Sequence, residues 1–223
     1  MLFPNGFEPC AATYNRSLLR ALAGLGCVVR VIAPIMWCPV VESQVRNRRL
    51  PPREEVLDGI PVAHPRVFYT PGMAIDRHYL LYRWQVRRTL AGAVRDRRAA
   101  ASGDGGADSS TTSESAGRNP MLRRGEGPHV MLGFIYPDAV ALAPVCRALG
   151  VDYSIRVNGS DFRVRVRQEK FRDRVLGELH EAPLVFCPGQ ALKSDMVAAG
   201  VDGDKIVSFN NGVDQGVFNR MVF

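Results

Sequence analysis

Three times along this chain an apolar helical stripe runs into one glycine and then into a short β-branched segment, and that grammar restricts the folds open to it. Tyr14, Leu18, Leu22 and Leu25 fall on one face at helical spacing, Gly26 stands where a left-handed C′ residue is needed, and Cys27 to Ala33 reads as a buried strand. Leu142, Val145, Cys146 and Leu149 repeat the stripe, Gly150 ends it, and Tyr153 to Val157 follows as strand. A third helix from about Gln190 closes at Gly200 and precedes a strand over Lys205 to Phe209. Further strands are expected at Val62 to Phe68, Val130 to Ile135 and Leu184 to Cys187. Helices alternating with strands throughout predict an α/β domain on a doubly wound, mostly parallel sheet. Only Met1 to Phe3 precede the loop Pro4 to Pro9, so the first strand, normally central in such a sheet, reads as truncated.

The main composition break is Ala99 to Asn119, rich in Ala, Gly, Ser, Thr and Asp and without apolar periodicity. With its basic flank it reads as a disordered insertion over 99–127 inside a domain spanning 1–218. No apolar run approaches the roughly 20 residues that a spanning helix needs. The N-terminus lacks the charged start, apolar stretch and small-residue site of a secretory signal, so a cytoplasmic location is expected. Five cysteines without CxxC or Cys/His spacing argue against disulfides and structural zinc and read as buried free thiols. The four histidines show no metal-ligand spacing either, and no metal or other cofactor is expected.

A formal charge of +7 and a pI near 9.5 point to an anionic partner: nucleic acid, phosphosugar or acidic lipid. Helix-turn-helix, RRM-type aromatic and zinc-finger signatures are all lacking, so nucleic acid is set aside. Gly189 to Ser194 (GQALKS) ends like a P-loop but has Leu192 where glycine must precede the lysine, which excludes phosphate cradling of that type.

FPNGFEP at Phe3 to Pro9, the helix ending LAGLG and the strand VVRVIAP resemble the opening of family 4 retaining glycosyltransferases of the GT-B fold. Asp58 to Arg66 (DGIPVAHPR) is similar to the family's strand of that pattern, Tyr136 to Ala139 (YPDA) to its YPDG helix start, Asn158 to Asp161 (NGSD) to its HGSD or RGSD turn, and Asn211 to Asp214 (NGVD) to its interdomain turn. The flavour is that of bacterial cell-surface polysaccharide transferases such as those of teichuronic acid synthesis. The resemblance implies a Rossmann-like N-terminal half. It also implies sugar transfer with retention from a nucleotide-sugar, a substrate rather than a cofactor, to a polysaccharide or lipid-linked acceptor. The family's donor-binding half, with its E-x7-E signature, is expected to be absent from this chain, so activity would require a separately encoded donor domain. The alternative is a catalytically inactive acceptor-binding or membrane-binding fragment of the same fold.

Asn158, Gly159, Ser160 and Asp161 stand at the C-terminal end of a predicted strand, where open α/β sheets place ligands. An equally open reading has Gly159 turn the chain while Ser160 or Asp161 caps the next helix. Asn158 puts a neutral amide where the family usually carries His or Arg. Asn5-Gly6 is a turn dipeptide that would also let backbone N–H groups approach a phosphate. Asn211-Gly212 favours a turn with positive φ, with Asp214 fixing the interdomain hinge. Tyr136-Pro137-Asp138 suits a first helical turn, and only the resemblance has Tyr136 and Asp138 face the acceptor.

Two segments concentrate the positive charge. Tyr79, Tyr82, Val86, Leu90 and Ala93 share one helical face, with Arg88, Arg95 and Arg98 on another. Phe162 to Arg174 carries Arg163, Arg165, Arg167, Lys170, Arg172 and Arg174. Such runs are usually solvated faces. Against an anionic bilayer each basic residue contributes about 1 kcal/mol of attraction, so peripheral contact with the inner face of the cell membrane is the functional alternative.

Overall fold

In the computed structural model, which describes residues 13–38, 50–69, 75–103, 127–210 and 212, all three helix-ending glycines have positive φ: 84° at Gly26, 57° at Gly150 and 94° at Gly200. After each, the next N–H reaches back to the carbonyl five residues earlier, from Cys27 to Leu22, Val151 to Cys146 and Val201 to Met196, at 3.0–3.1 Å. A residue with a Cβ would be strained in that left-handed conformation, and the bond satisfies a carbonyl that the helix end leaves open.

The elements in chain order are α1 (Thr13–Gly24), β1 (Val31–Ile32), β2 (Ile35–Trp37), β3 (Glu54–Leu57), β4 (Ile60–Ala63), β5 (Arg66–Phe68) and α2 (His78–Gly103). There follow β6 (His129–Leu132), α3 (Val140–Ala148), β7 (Asp152–Arg156), α4 (Gly159–Arg167), α5 (Glu169–Glu181), β8 (Val185–Pro188), α6 (Gln190–Ala198) and β9 (Ile206–Phe209). Strands β6-β7-β8-β9 form a four-stranded sheet in that spatial order, every pair parallel, so each connection is a helical crossover. The architecture is α/β with a mostly parallel sheet.

The N-terminal strands are more broken than the sequence suggested. β1 pairs parallel with β4 and β2 parallel with β5, and Ala33 N–H to Ala63 O (2.7 Å) and Ile35 N–H to Pro65 O (2.9 Å) carry the bonding between the two ladders. Pro34 and Pro65 have no N–H to give, so the run expected over Val62 to Phe68 divides into β4 and β5. The strand expected over Cys27 to Ala33 shrinks to Val31–Ile32; Leu25 and Val28 are 81% and 75% exposed. The segment Asp58 to Arg66 does not begin as a strand. Asp58 (φ 52°) and Gly59 (φ 76°) form the two-residue turn of an antiparallel β3–β4 hairpin, and Arg16 of α1 grips the Asp58 carboxylate with two bonds of 2.5 and 2.6 Å.

One core joins the sheet to its helices. α2 buries Tyr82, Val86, Leu90 and Val94 at a four-residue spacing, and α5 buries Phe171, Val175 and Leu179 in the same way, all in one cluster that also holds Ile155, Val157, Val185 and Cys187. The α2 stripe is the face expected from the sequence, with Val94 rather than Ala93 as its last buried member. The helix also runs through the alanines at 99–101 to Gly103, so residues 99–103 extend α2 instead of opening the insertion. Cys38, Cys146 and Cys187 are buried thiols, whereas Cys27 is exposed. Burial pushes the Cys146 thiol up to about 11, which makes it inert. Among the described residues no helix is long and apolar enough to cross a membrane. Asn5, Gly6, Asn211, Asp214, the first strand and the insertion beyond residue 103 lie outside the described residues; Gly212 is exposed irregular chain.

Candidate functional site

The C-terminal tips of β6 and β7 lie side by side because the two strands pair in register, Leu132 opposite Ile155. Each tip opens into one of the motifs singled out in the sequence. After β6 the chain passes Gly133 and Phe134 into a wide turn, Ile135–Ala139, in which the Tyr136-Pro137 peptide is cis and Tyr136 keeps extended φ/ψ of −132° and 128°. After β7 it passes Val157 and Asn158 into α4.

Asp161 joins the two loops. Its carboxylate accepts the Ile135 N–H at 2.6 Å and a second backbone bond from Tyr136. This departs from the capping alternative: α4 starts after Asn158 (φ −103°, ψ 147°) without a side-chain cap, and Asp161 serves the neighbouring loop. Burial is the main force on this carboxyl. Despite the opposing backbone bonds, burial and the nearby Asp138 charge push it up to about 6.

Asp138 turns inward. It is 8% exposed and accepts the Tyr82 hydroxyl of α2 at 2.6 Å. Burial raises its pKa, against the lowering effect of the Tyr82 bond. This residue therefore holds the loop to α2. The Tyr136 ring meets Phe171 edge-on at 4.8 Å, and the Arg165 guanidinium lies over both rings, 4.9 Å from Tyr136 and 4.6 Å from Phe171. Asn158 is half-buried, its amide 3.5 Å from the Gly133 carbonyl, and Ser160 is exposed at the start of α4. Tyr136, Asn158, Gly159, Ser160 and Asp161 thus gather at one pair of strand tips, with Asp138 beneath them.

The basic residues do not gather there as a group. Arg163 pairs with Asp195 at 2.7 Å, and Arg98 donates to the carbonyls of Leu149 and Gly150 at 3.0 and 2.8 Å, closing the end of α3. Lys170 lies 5.3 Å from the centre of the Phe171 ring; Arg88, Arg95 and Arg167 are exposed. Lys193 of the GQALKS segment donates to the Ile206 carbonyl at 2.8 Å, which spends its charge on the fold.

One strand-tip residue escaped the sequence reading. Arg156, the last residue of β7, is 3% exposed, donates to Asn15 of α1 at 2.6 Å and lies over the Phe209 ring at 5.4 Å. The signal was present: an arginine in a strand expected to be buried needs something to hold it. A buried positive charge therefore belongs to the end of β7, directed to α1 and to Phe209. Among the described residues no cluster of three or more His, Cys, Asp or Glu side chains is arranged to hold a metal ion. No protein-family model matches the chain, and no curated protein matches it either.

Proposed function

We propose that this α/β body is the acceptor-side half of a nucleotide-sugar-dependent glycosyltransferase, of the doubly wound Rossmann-like kind found in the family 4 retaining enzymes. It would position a polysaccharide or lipid-linked acceptor for transfer with retention. The observation that supports this most directly is the convergence of the Tyr136–Asp138 and Asn158–Asp161 loops on adjacent parallel strand tips, cross-linked by Asp161. Ligands of open parallel sheets bind outside the carboxyl ends of the strands. Asn158 and Ser160 offer amide and hydroxyl groups suited to sugar hydroxyls, and Arg156 adds a buried positive charge at the end of the same strand.

Asn158 also supports a second reading, an acceptor-binding subunit without catalysis, because its amide has no titratable proton to contribute. Saturation-transfer NMR of the full chain with cell-surface glycan fragments tests what both readings share. Signal on the glycan, lost in Asn158→Leu, is expected. Saturation transfer to a nucleotide-sugar alone, with none to any glycan, contradicts the proposal. Labelled-sugar transfer on addition of a donor domain then separates the first reading from the second.

A further inference from the structure

The segment from Arg77 to Arg95 contains five arginines and no Asp or Glu. Its helix, α2, packs its buried stripe on the core and turns another face outward. At helical spacing that outer face reads Leu80, Leu81, Trp84, Arg87, Arg88 and Ala91. The first three are large apolar side chains in water: Leu80 is 47% exposed, Leu81 39% and Trp84 61%. Arg87 and Arg88 are exposed and have neither a hydrogen bond nor an ion pair among the described residues. Beside them, a groove of about 420 Å³ runs between α2 and α3, its apolar lining formed by Ala91, Pro144, Val145, Ala148 and Leu149 and its charge supplied by Arg83, Arg87 and Arg88.

We propose that this face of α2 docks on an anionic phospholipid bilayer, with Leu80, Leu81 and Trp84 entering the interface and Arg87 and Arg88 meeting the headgroup phosphates. Both halves of the surface are satisfied there at once. Apolar side chains leave water, tryptophan sits at the depth its amphipathic ring favours, and arginine stems lie along apolar surface while their charges stay at the phosphates. A polyanion without an apolar phase would match the arginines and leave the leucines wet. A second copy of this chain would bring like charge to an arginine rim that has no acidic residue to receive it.

The placement bears on the strand-tip loops. The backbone N–H of Tyr79, one residue before Leu80, donates to the Tyr136 hydroxyl, and Tyr82 holds Asp138. The inner face of this end of α2 therefore holds the loop after β6, while Leu80, Leu81 and Trp84 occupy its outer face. Of the basic residues first considered for membrane contact, Arg88 belongs to this surface, whereas Arg98, Arg163 and Arg165 are held by carbonyls, a carboxylate and aromatic rings. The docking rests on surface chemistry and is read out without any transfer reaction, so it stands or falls separately from the glycosyltransferase reading.

The test is co-sedimentation of the full chain with phosphatidylcholine vesicles, with and without phosphatidylglycerol. Binding is expected only with phosphatidylglycerol, weakened by salt, and reduced about 25-fold in Arg87→Ala/Arg88→Ala at about fivefold per charge. The chain has two tryptophans, so Trp37→Phe leaves Trp84 as sole reporter. Its emission should shift to the blue on anionic vesicles and be quenched by brominated lipid. Equal binding to both vesicle types, wild-type binding by the double arginine variant, or unchanged Trp84 emission in the bound chain overturns the proposal.

Discussion

Asp161 accepts the backbone N–H of Ile135 at 2.6 Å, so the first turn of α4 and the loop after β6 are held together by one carboxylate. That bond joins the two strand-tip motifs singled out in the sequence. It also creates a pH dependence. The Asp161 pKa is raised from 3.8 to about 6, chiefly by burial, so the folded protein retains a proton that the unfolded chain has already released. The stabilisation is fully present below about pH 4 and is lost as pH rises through about 6, with a total on the order of 3 kcal/mol. Urea melts from pH 4 to 7 should show this decline, and Asp161→Asn should flatten it.

Tyr82→Phe removes the hydroxyl donor to the buried Asp138 carboxyl without changing the shape of the ring. The loss should be about 1.5–3 kcal/mol, because the carboxyl stays buried and loses its partner from α2. Chemical denaturation measures it. A change below half a kcal/mol would mean that another group replaces the bond.

Pro144 lies inside α3 and cannot donate to the Val140 carbonyl one turn back. Arg83 of α2 fills that place: its Nη2 donates to Val140 O at 3.0 Å and its Nε to Ala141 O at 2.8 Å. Arg83→Met should therefore destabilise by about 1–3 kcal/mol. Pro144→Ala restores an N–H within the helix and should cost less in the Arg83→Met background than in wild type, or become stabilising. A double-mutant cycle with no coupling would contradict this account of the α2–α3 contact.

The parts of this architecture legible in the sequence are those set by local chemistry. Gly26, Gly150 and Gly200 end helices because only they take the left-handed turn cheaply, and the strands around Tyr153, Val185 and Ile206 are short segments carrying the aromatic and β-branched residues that parallel burial favours. The illegible parts depend on partners far away in sequence. Arg156 meets Asn15, Tyr82 meets Asp138 and Arg83 meets Val140, separations of 141, 56 and 57 residues that no periodicity encodes. Pro34 and Pro65 were visible, yet that they would interrupt the same pair of extended segments depended on register. The NGSD motif was placed correctly at a strand tip, but which side chain would cap, bridge or face outward was settled by the loop next to it.

Arg156→Met tests whether the buried charge matters to the tip beyond its packing. The substitution keeps the apolar stem and removes both the bond to Asn15 and the guanidinium over Phe209, so α1 should loosen from the strand tips. Faster amide exchange in α1, with the α5 core unchanged, is the expected result.

Hydrogen–deuterium exchange of the full chain with and without acceptor glycan tests the central claim most directly. Protection confined to peptides covering 133–139 and 157–161 is predicted, since those loops flank the shared strand tips. Protection at the start of α6 in their place, or protection by nucleotide-sugar with none by glycan, would contradict the assignment of an acceptor-side wall.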